Sequence, residues 1–222
     1  MAILELPVLP VHLYRYRSLK SGVAREIGSI KQGYLYCSRF REMNDPMEGL
    51  FRTSSRLKGR QTNRSEIYAA ALDLGLASFT EMNASELMWA HYANNYAGIC
   101  VGYQANRLMR GLGENVSLIR MAYGDRPPRV STRDAREPKK AAKKILAHKK
   151  DNWAYEREWR VLGDCGRVEY GSQNCVSRIY LGARITSEHR RTLVQELRGC
   201  DLKFFEMVEV QGYGHKFVRF DP

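Results

Sequence analysis

Ten consecutive residues constrain this chain more than any others: Trp153-Ala154-Tyr155-Glu156-Arg157-Glu158-Trp159-Arg160-Val161-Leu162, followed by Gly163-Asp164. Charged and aromatic side chains alternate through them, and the run reads as a strand. Successive side chains on a strand project to opposite faces. Glu156, Glu158 and Arg160 then share one face; Tyr155, Arg157, Trp159 and Val161 share the other. Carboxylates two residues apart on one face lie roughly 7 Å from each other, so each raises the other's pKa unless a cation screens it. The pattern fits a carboxylate pair held for chemistry. It also fits a half-exposed strand closed by a Glu–Arg ladder.

The surrounding chain supplies strands and helices in mixed order. Strands are expected at 11–17, 34–38, 75–80, 98–103, 116–123, 177–181, 202–210 and 216–220, from alternation and β-branched or aromatic content. Helices are expected at 23–31, 67–74, 86–93, 105–110, 138–150 and 187–198. Ser18 or Ser21 caps the first, with Ala24, Ile27 and Ile30 on its inner face and Gly33 at its end. Ser85 and Ser187 cap others, and Pro138 opens the fifth. Asn44-Asp45-Pro46 marks a turn in the loop 39–49. The polar, basic segment 52–65 reads as a mobile loop. With 222 residues, no repeat and no linker, the expectation is one α+β domain around a split, mostly antiparallel sheet.

Three further constellations carry polar chemistry. Tyr14-Arg15-Tyr16-Arg17-Ser18 puts arginines in one strand phase and tyrosines in the other, and arginine holds phosphate bidentately. Ser78-Phe79-Thr80-Glu81 puts two hydroxyls on one face, suited to a ribose or a carboxylate. Met88-Trp89-Ala90-His91-Tyr92, with Asn94, Asn95 and Tyr96 after it, gathers rings that could wall a pocket for a nucleobase or nicotinamide. Each also fits ordinary strand-end or core packing.

Charge narrows the partners. Lys and Arg number 36 against 24 Asp and Glu, a formal net charge of +12, which attracts nucleic acid, anionic surfaces or an acidic protein. Lys139, Lys140, Lys143 and Lys144 fall on the helix expected at 138–150 and make a candidate phosphate-binding face. The five cysteines are odd in number and none forms a C-x-x-C pair, which argues against a disulfide framework or zinc ribbon. The five histidines are scattered, and no metal is expected. No leader pattern and no apolar run near 20 residues occurs, so the expected location is cytoplasmic, away from membranes.

Taken together, Leu13–Ser18, Asn44-Asp45-Pro46-Met47-Glu48, Ser78–Glu81, Met88–Tyr92 and Tyr155–Arg160 resemble an uncharacterised bacterial domain-of-unknown-function family, over about residues 12–185. The order of arginine strand, Ser-x-Thr strand and Glu-x-Glu strand is also similar to the Arg–Ser–Glu pattern of ADP-ribosyltransferases. That resemblance implies an ADP-ribosyltransferase-like fold and NAD as substrate. It implies that Arg15 or Arg17, beside Tyr16, holds the phosphate or ribose side. Ser78 and Thr80 shape the nicotinamide pocket, with Trp89, His91 and Tyr92 near the cofactor. Glu158 stabilises the oxocarbenium-like transition state, and Glu156 helps activate the acceptor.

The expected function is therefore NAD-dependent ADP-ribosyl transfer to a macromolecule, with nucleic acid a candidate acceptor and a toxin or phage-conflict role implied. The alternative is a non-catalytic nucleic-acid-binding module built on the Lys-rich helix and the aromatics. A two-metal nuclease fits less well, because no Glu-x-Lys or clustered Asp set is present.

Overall fold

A computed structural model describes residues 8–55, 61–171, 173–210 and 214–221. It shows an α+β fold with a large, mixed, mostly antiparallel sheet. In chain order the first elements are β1 (His12–Arg17), α1 (Val23–Gln32), β2 (Tyr34–Arg39), β3 (Arg52–Thr53), α2 (Gln61–Asp73), β4 (Leu74–Thr80) and α3 (Glu86–Tyr92). There follow β5 (Ile99–Gln104), α4 (Ala105–Gly111), β6 (Ser117–Arg120), β7 (Ala122–Tyr123), β8 (Arg129–Val130), α5 (Pro138–Leu146) and β9 (His148–Lys149). The last are β10 (Glu158–Asp164), β11 (Gly166–Glu169), β12 (Val176–Leu181), α6 (Ser187–Leu197), β13 (Lys203–Val210) and β14 (Gly214–Phe220). The chain divides into two compact units. Unit 1 holds Met1–Leu35, Phe79–Gly113 and Glu169–Pro222, and unit 2 holds Tyr36–Ser78 and Glu114–Val168.

In unit 1, β1 pairs antiparallel with β5 from His12↔Gln104 to Arg17↔Ile99. β5 pairs antiparallel with β12, β12 parallel with β13, and β13 antiparallel with β14. The two phases of β1 separate as alternation demands. Tyr14 and Tyr16 are buried on one face, Tyr16 edge-on to Trp89 at 5.2 Å. Arg17 lies on the other, where it meets Glu26 of α1 at 2.6 Å. That pairing turns Glu26 inward with Ile27 and Ile30 and leaves Ala24 exposed, which shifts the inner face expected for this helix. Its N-cap is Gly22, at φ 98, in place of a serine. Ser85 caps α3 as expected, its hydroxyl accepting from the Met88 N–H.

The turn after α3 is left-handed through three residues in a row, Asn94, Asn95 and Tyr96, at φ 50, 51 and 69. Each such residue costs of order 1 kcal/mol outside glycine. The packing around it explains why it persists. Gly98 and Gly182 lie so close to backbone oxygens of Arg17 and Tyr96 that a Cβ at either would collide.

Unit 2 orders its strands β11-β2-β4-β10-β6. Ser38 pairs with Leu76, and β10 with β6 from Trp159↔Arg120 to Leu162↔Ser117. Two helices pack against this sheet, and Ile67 and Ala71 of α2 join Ala141, Ala142, Ile145 and Leu146 of α5 in one core with Leu76 and Leu162. The expected mobile loop at 52–65 is in part regular: Arg52 and Thr53 pair with Arg129 and Val130, and α2 begins at Gln61. Residues 56–60 of that loop lie outside the described residues. α5 opens at Pro138 as expected but ends at Leu146, four residues early. Its continuation leaves the helix because His148 and Lys149 pair with Ala122 and Tyr123.

Candidate functional site

The Trp153–Leu162 run is extended only from Glu158 onward. Asp151–Glu156 form a 3-10 helix, and Arg157 follows in the left-handed region at φ 44, ψ 51. This single inverted residue replaces the simple alternation of a strand, yet Glu156 and Glu158 still converge. Lys149 Nζ stands 2.7 Å from Glu156 Oε2, 3.6 Å from Glu158 Oε2 and 3.8 Å from Glu48 Oε1. The same ammonium lies over the Trp153 ring at 4.5 Å.

Arg160 completes the network. Its Nε donates to Glu158 Oε1 at 2.7 Å, its Nη2 to Glu48 Oε1 at 2.6 Å, and its Nη1 to Glu48 Oε2 at 2.7 Å and to the Leu146 carbonyl at 2.8 Å. The Glu158 N–H donates to the Tyr123 hydroxyl at 2.8 Å. Arg160, Glu158 and Glu156 are 1%, 3% and 3% exposed. Ion pairs this deep persist only when their hydrogen-bonding groups are matched, as the two-pronged Arg160 contacts are. Burial alone would raise the Glu158 pKa. The charges of Arg160 and Lys149, with hydrogen bonds from Arg160 and the Ser78 hydroxyl, outweigh it and hold the carboxyl below its usual range. Three carboxylates, Glu48, Glu156 and Glu158, thus meet the two cations Lys149 and Arg160 in this network.

The network underlies a half-open cleft of about 180 Å³, whose lining includes Asp45, Glu48, Asp125, His148, Lys149 and Lys150. Glu48 and Lys149 belong to both the cleft wall and the network. Asp45 caps its own turn by accepting from the Met47 N–H at 2.9 Å. At the solvent side Asp125 shares a hydrogen bond with Asp151, and that bond and the neighbouring negative charge raise its pKa. Burial lowers the pKa of His148. A cleft with an aspartate whose pKa is raised, an imidazole whose charged form burial disfavours and buried carboxylates beneath suits acid–base work beside a cationic centre.

The residues expected from sequence fall into two groups. Glu156, Glu158 and Ser78 come together in unit 2, beneath the cleft. Arg15, Arg17, Tyr16, Thr80, Trp89, His91 and Tyr92 are in unit 1. Within unit 1, Thr80 pairs with Tyr14 and shares its face, opposite Arg15 and Arg17. Arg17 is engaged by Glu26 through two hydrogen bonds, and Arg15 lies 5.9 Å over the Phe79 ring. Tyr16 and Trp89 are core residues that donate to the Met82 and Asn83 carbonyls. His91 is exposed and Tyr92 half-buried.

The lysines of α5 are tied locally. Lys140 pairs with Glu137, Lys143 donates to Ser117 Oγ at 2.8 Å, and Lys144 pairs with Asp134 at 2.9 Å. Lys139 is exposed. Sequence reasoning missed Asp45, Asp125, His148 and Lys150 as a group. Asp45 and Glu48 were within reach, since both stand in the Asn44–Glu48 turn motif. Among the described residues, no group of three or more His, Cys, Asp or Glu is placed to hold a metal ion, and no helix is long and apolar enough to cross a membrane.

Residues 88–161 match the model of a family described as protein of unknown function (DUF2971). The match takes in the Met88–Tyr92 and Tyr155–Arg160 motifs and, with them, most of the ion network. Comparison with curated proteins and with solved structures yields no match, so neither lends support to the ADP-ribosyltransferase resemblance.

Proposed function

We propose that this protein is an enzyme of the glycosyltransferase class that takes NAD into the cleft of unit 2 and transfers ADP-ribose to a macromolecular acceptor. The observation that carries the reading is the set of three buried carboxylates, Glu48, Glu156 and Glu158, fixed by Lys149 and Arg160 at the foot of the cleft. Nicotinamide in NAD is cationic, and positive charge develops on the ribose as the glycosidic bond breaks. A fixed negative field acts on that charge without reorganising. At roughly 6 Å and an effective dielectric of about 20, one unit charge is worth about 3 kcal/mol.

The roles follow from depth. Glu156 and Glu158 do not touch the substrate; they fix Lys149 and Arg160, which in turn fix Glu48 at the wall. Asp125, on the cleft wall, accepts the proton of the acceptor hydroxyl as its oxygen bonds to the ribose carbon. The electrons of the broken bond leave with nicotinamide, which departs neutral. Lys150 on the rim meets the diphosphate.

The test is thermal stability and nicotinamide release measured together. NAD at 100 times its Kd stabilises a protein that binds it only when folded by about 2.7 kcal/mol. Asp125→Asn is expected to cut nicotinamide release roughly 10²-fold while leaving NAD affinity nearly unchanged. Millimolar NAD that leaves the melting temperature unmoved, or full release from the variant, contradicts the proposal.

A further inference from the structure

The sheet of unit 1 has two unlike faces. One lies against helices: Arg17 reaches Glu26 of α1, and Arg190 of α6 sits 4.6 Å over the Phe220 ring. The opposite face carries His12 and Tyr14 on β1, Arg178 and Tyr180 on β12, Lys203 and Phe205 on β13, and Arg219 on β14. The registers set these side by side. Arg178 stands beside Lys203, Tyr180 beside Phe205, and Phe205 beside Arg219. Gly102 of β5 lies between Tyr14 and Arg178, and a Cβ there would come within 3.2 Å of the Tyr14 ring and 3.1 Å of Arg178. α3 reaches the far end of this face, where Trp89 meets Tyr16 and Phe217.

Two features of the array point to a ligand. The rings are ordered in parallel pairs: His12 and Tyr14 at 6.2 Å and 23°, Tyr180 and Phe205 at 4.7 Å and 16°. Tyr14 and Tyr180 lie deep, while His12 and Phe205 remain partly open to solvent. The cations are also set in a way that folding alone does not favour. Like charges paired directly across strands destabilise a sheet, yet Arg178 and Lys203 are register partners. The Arg178 guanidinium leans on a phenol, donating to the Tyr180 hydroxyl at 3.5 Å. Burial first, then the charges of Arg178 and Lys203, lower the His12 pKa, so the field here is positive. An anionic ligand relieves that repulsion.

We propose that this face binds single-stranded nucleic acid, with bases stacked on His12 and Phe205 and phosphates held by Arg178, Lys203 and Arg219. Rings interleaved with cations on a pleated surface suit bases that are already unstacked, since every base offers a ring face and each link a phosphate. A duplex hides its base faces and meets only the cations. From β1 to β14 the face crosses four strand spacings of about 4.8 Å each, enough to track a short stretch of strand. The surface lies in unit 1 and is independent of the cleft in unit 2.

The test is fluorescence anisotropy on the full chain, without NAD, using short oligothymidine and oligouridine strands, a duplex of equal length, and phosphatidylserine vesicles. Single strands are expected to bind at least tenfold tighter than duplex. In Arg178→Gln/Lys203→Gln the slope of log affinity against log salt is expected to fall by about 1.4, at about 0.7 per phosphate. Phe205→Leu is expected to weaken binding roughly tenfold with the slope unchanged. Lys203→Gln alone, on an exposed side chain, carries the test if the Phe205 variant fails to fold, and its slope falls by about 0.7. Absence of single-strand binding at low salt, equal affinity for duplex, preference for vesicles, or a salt slope unaltered by the lysine and arginine changes overturns the proposal.

Discussion

Arg160 and Glu48, 112 residues apart in sequence, meet in a two-pronged ion pair with both N–O distances under 3 Å. The pair joins the Asn44–Glu48 turn to the start of β10 inside unit 2, at 1% and 2% side-chain exposure. Removing one partner from such a buried pair strands the other charge and costs about 3–5 kcal/mol. Glu48→Gln is therefore expected to lower the melting temperature by roughly 10 °C, at about 2–4 °C per kcal/mol for a chain of this size. Glu48→Leu/Arg160→Met, which removes both charges, is expected to melt above the sum of the single changes. Calorimetry of Glu48→Leu, Arg160→Met and the double variant checks this, and additive losses contradict the pairing.

Acid sensitivity follows from Glu158. Its folded pKa is depressed, so its stabilising contribution is complete above the unfolded carboxyl value of about 4.3. It is lost as pH falls through the lower folded value. Stability measured by denaturant titration is expected to decline below about pH 4.3 with a steeper slope in wild type than in Glu158→Gln. Equal slopes contradict the assignment.

Arg157 holds a left-handed conformation at φ 44, which a side chain with a Cβ adopts at a cost of about 1–2 kcal/mol. Arg157→Gly relieves that strain but frees the unfolded chain. The net expected result is a change within about 1 kcal/mol, toward stability. Arg157→Val, branched at Cβ, is expected to destabilise by more than 1 kcal/mol, roughly the same strain with less freedom. A denaturant melt of both variants reads the difference.

The α5 lysines yield a contrast with the sheet face of unit 1. Because Lys140, Lys143 and Lys144 have local partners, changing all three to Gln is expected to lower stability by about 1 kcal/mol, the sum of weak surface contacts. The salt slope of any oligonucleotide binding is expected to stay within about 0.5 of wild type, less than one phosphate contact. A slope lowered by 2 or so, roughly three contacts, returns the helix to the role its composition suggests.

How far the sequence alone reaches varies with the range of the interactions. Some local signals held: Ser85 caps α3, Gly33 closes α1, and Pro138 opens α5, whereas Gly22 stands at the N-cap expected of Ser18 or Ser21 and Thr186 at the one expected of Ser187. The phases of β1 sorted as alternation requires. Boundaries failed where tertiary pairing competes with local preference, as when His148 and Lys149 leave the helical pattern to pair with Ala122 and Tyr123. The Glu156–Glu158 pair was legible as a carboxylate pair. That Lys149 and the distant Glu48 would surround it was not, because no local pattern encodes a contact across 112 residues. Asp125 and Asp151 gave no signal either, since each stands alone in a polar stretch.

Hydrogen–deuterium exchange with and without saturating NAD tests whether NAD binds in the cleft of unit 2. Bound ligand suppresses local opening where it makes contact. Added protection is expected at residues 45–50, 124–127 and 148–150, retained in Asp125→Asn. Protection confined to residues 12–17 and 88–96, or none at any NAD concentration, contradicts it.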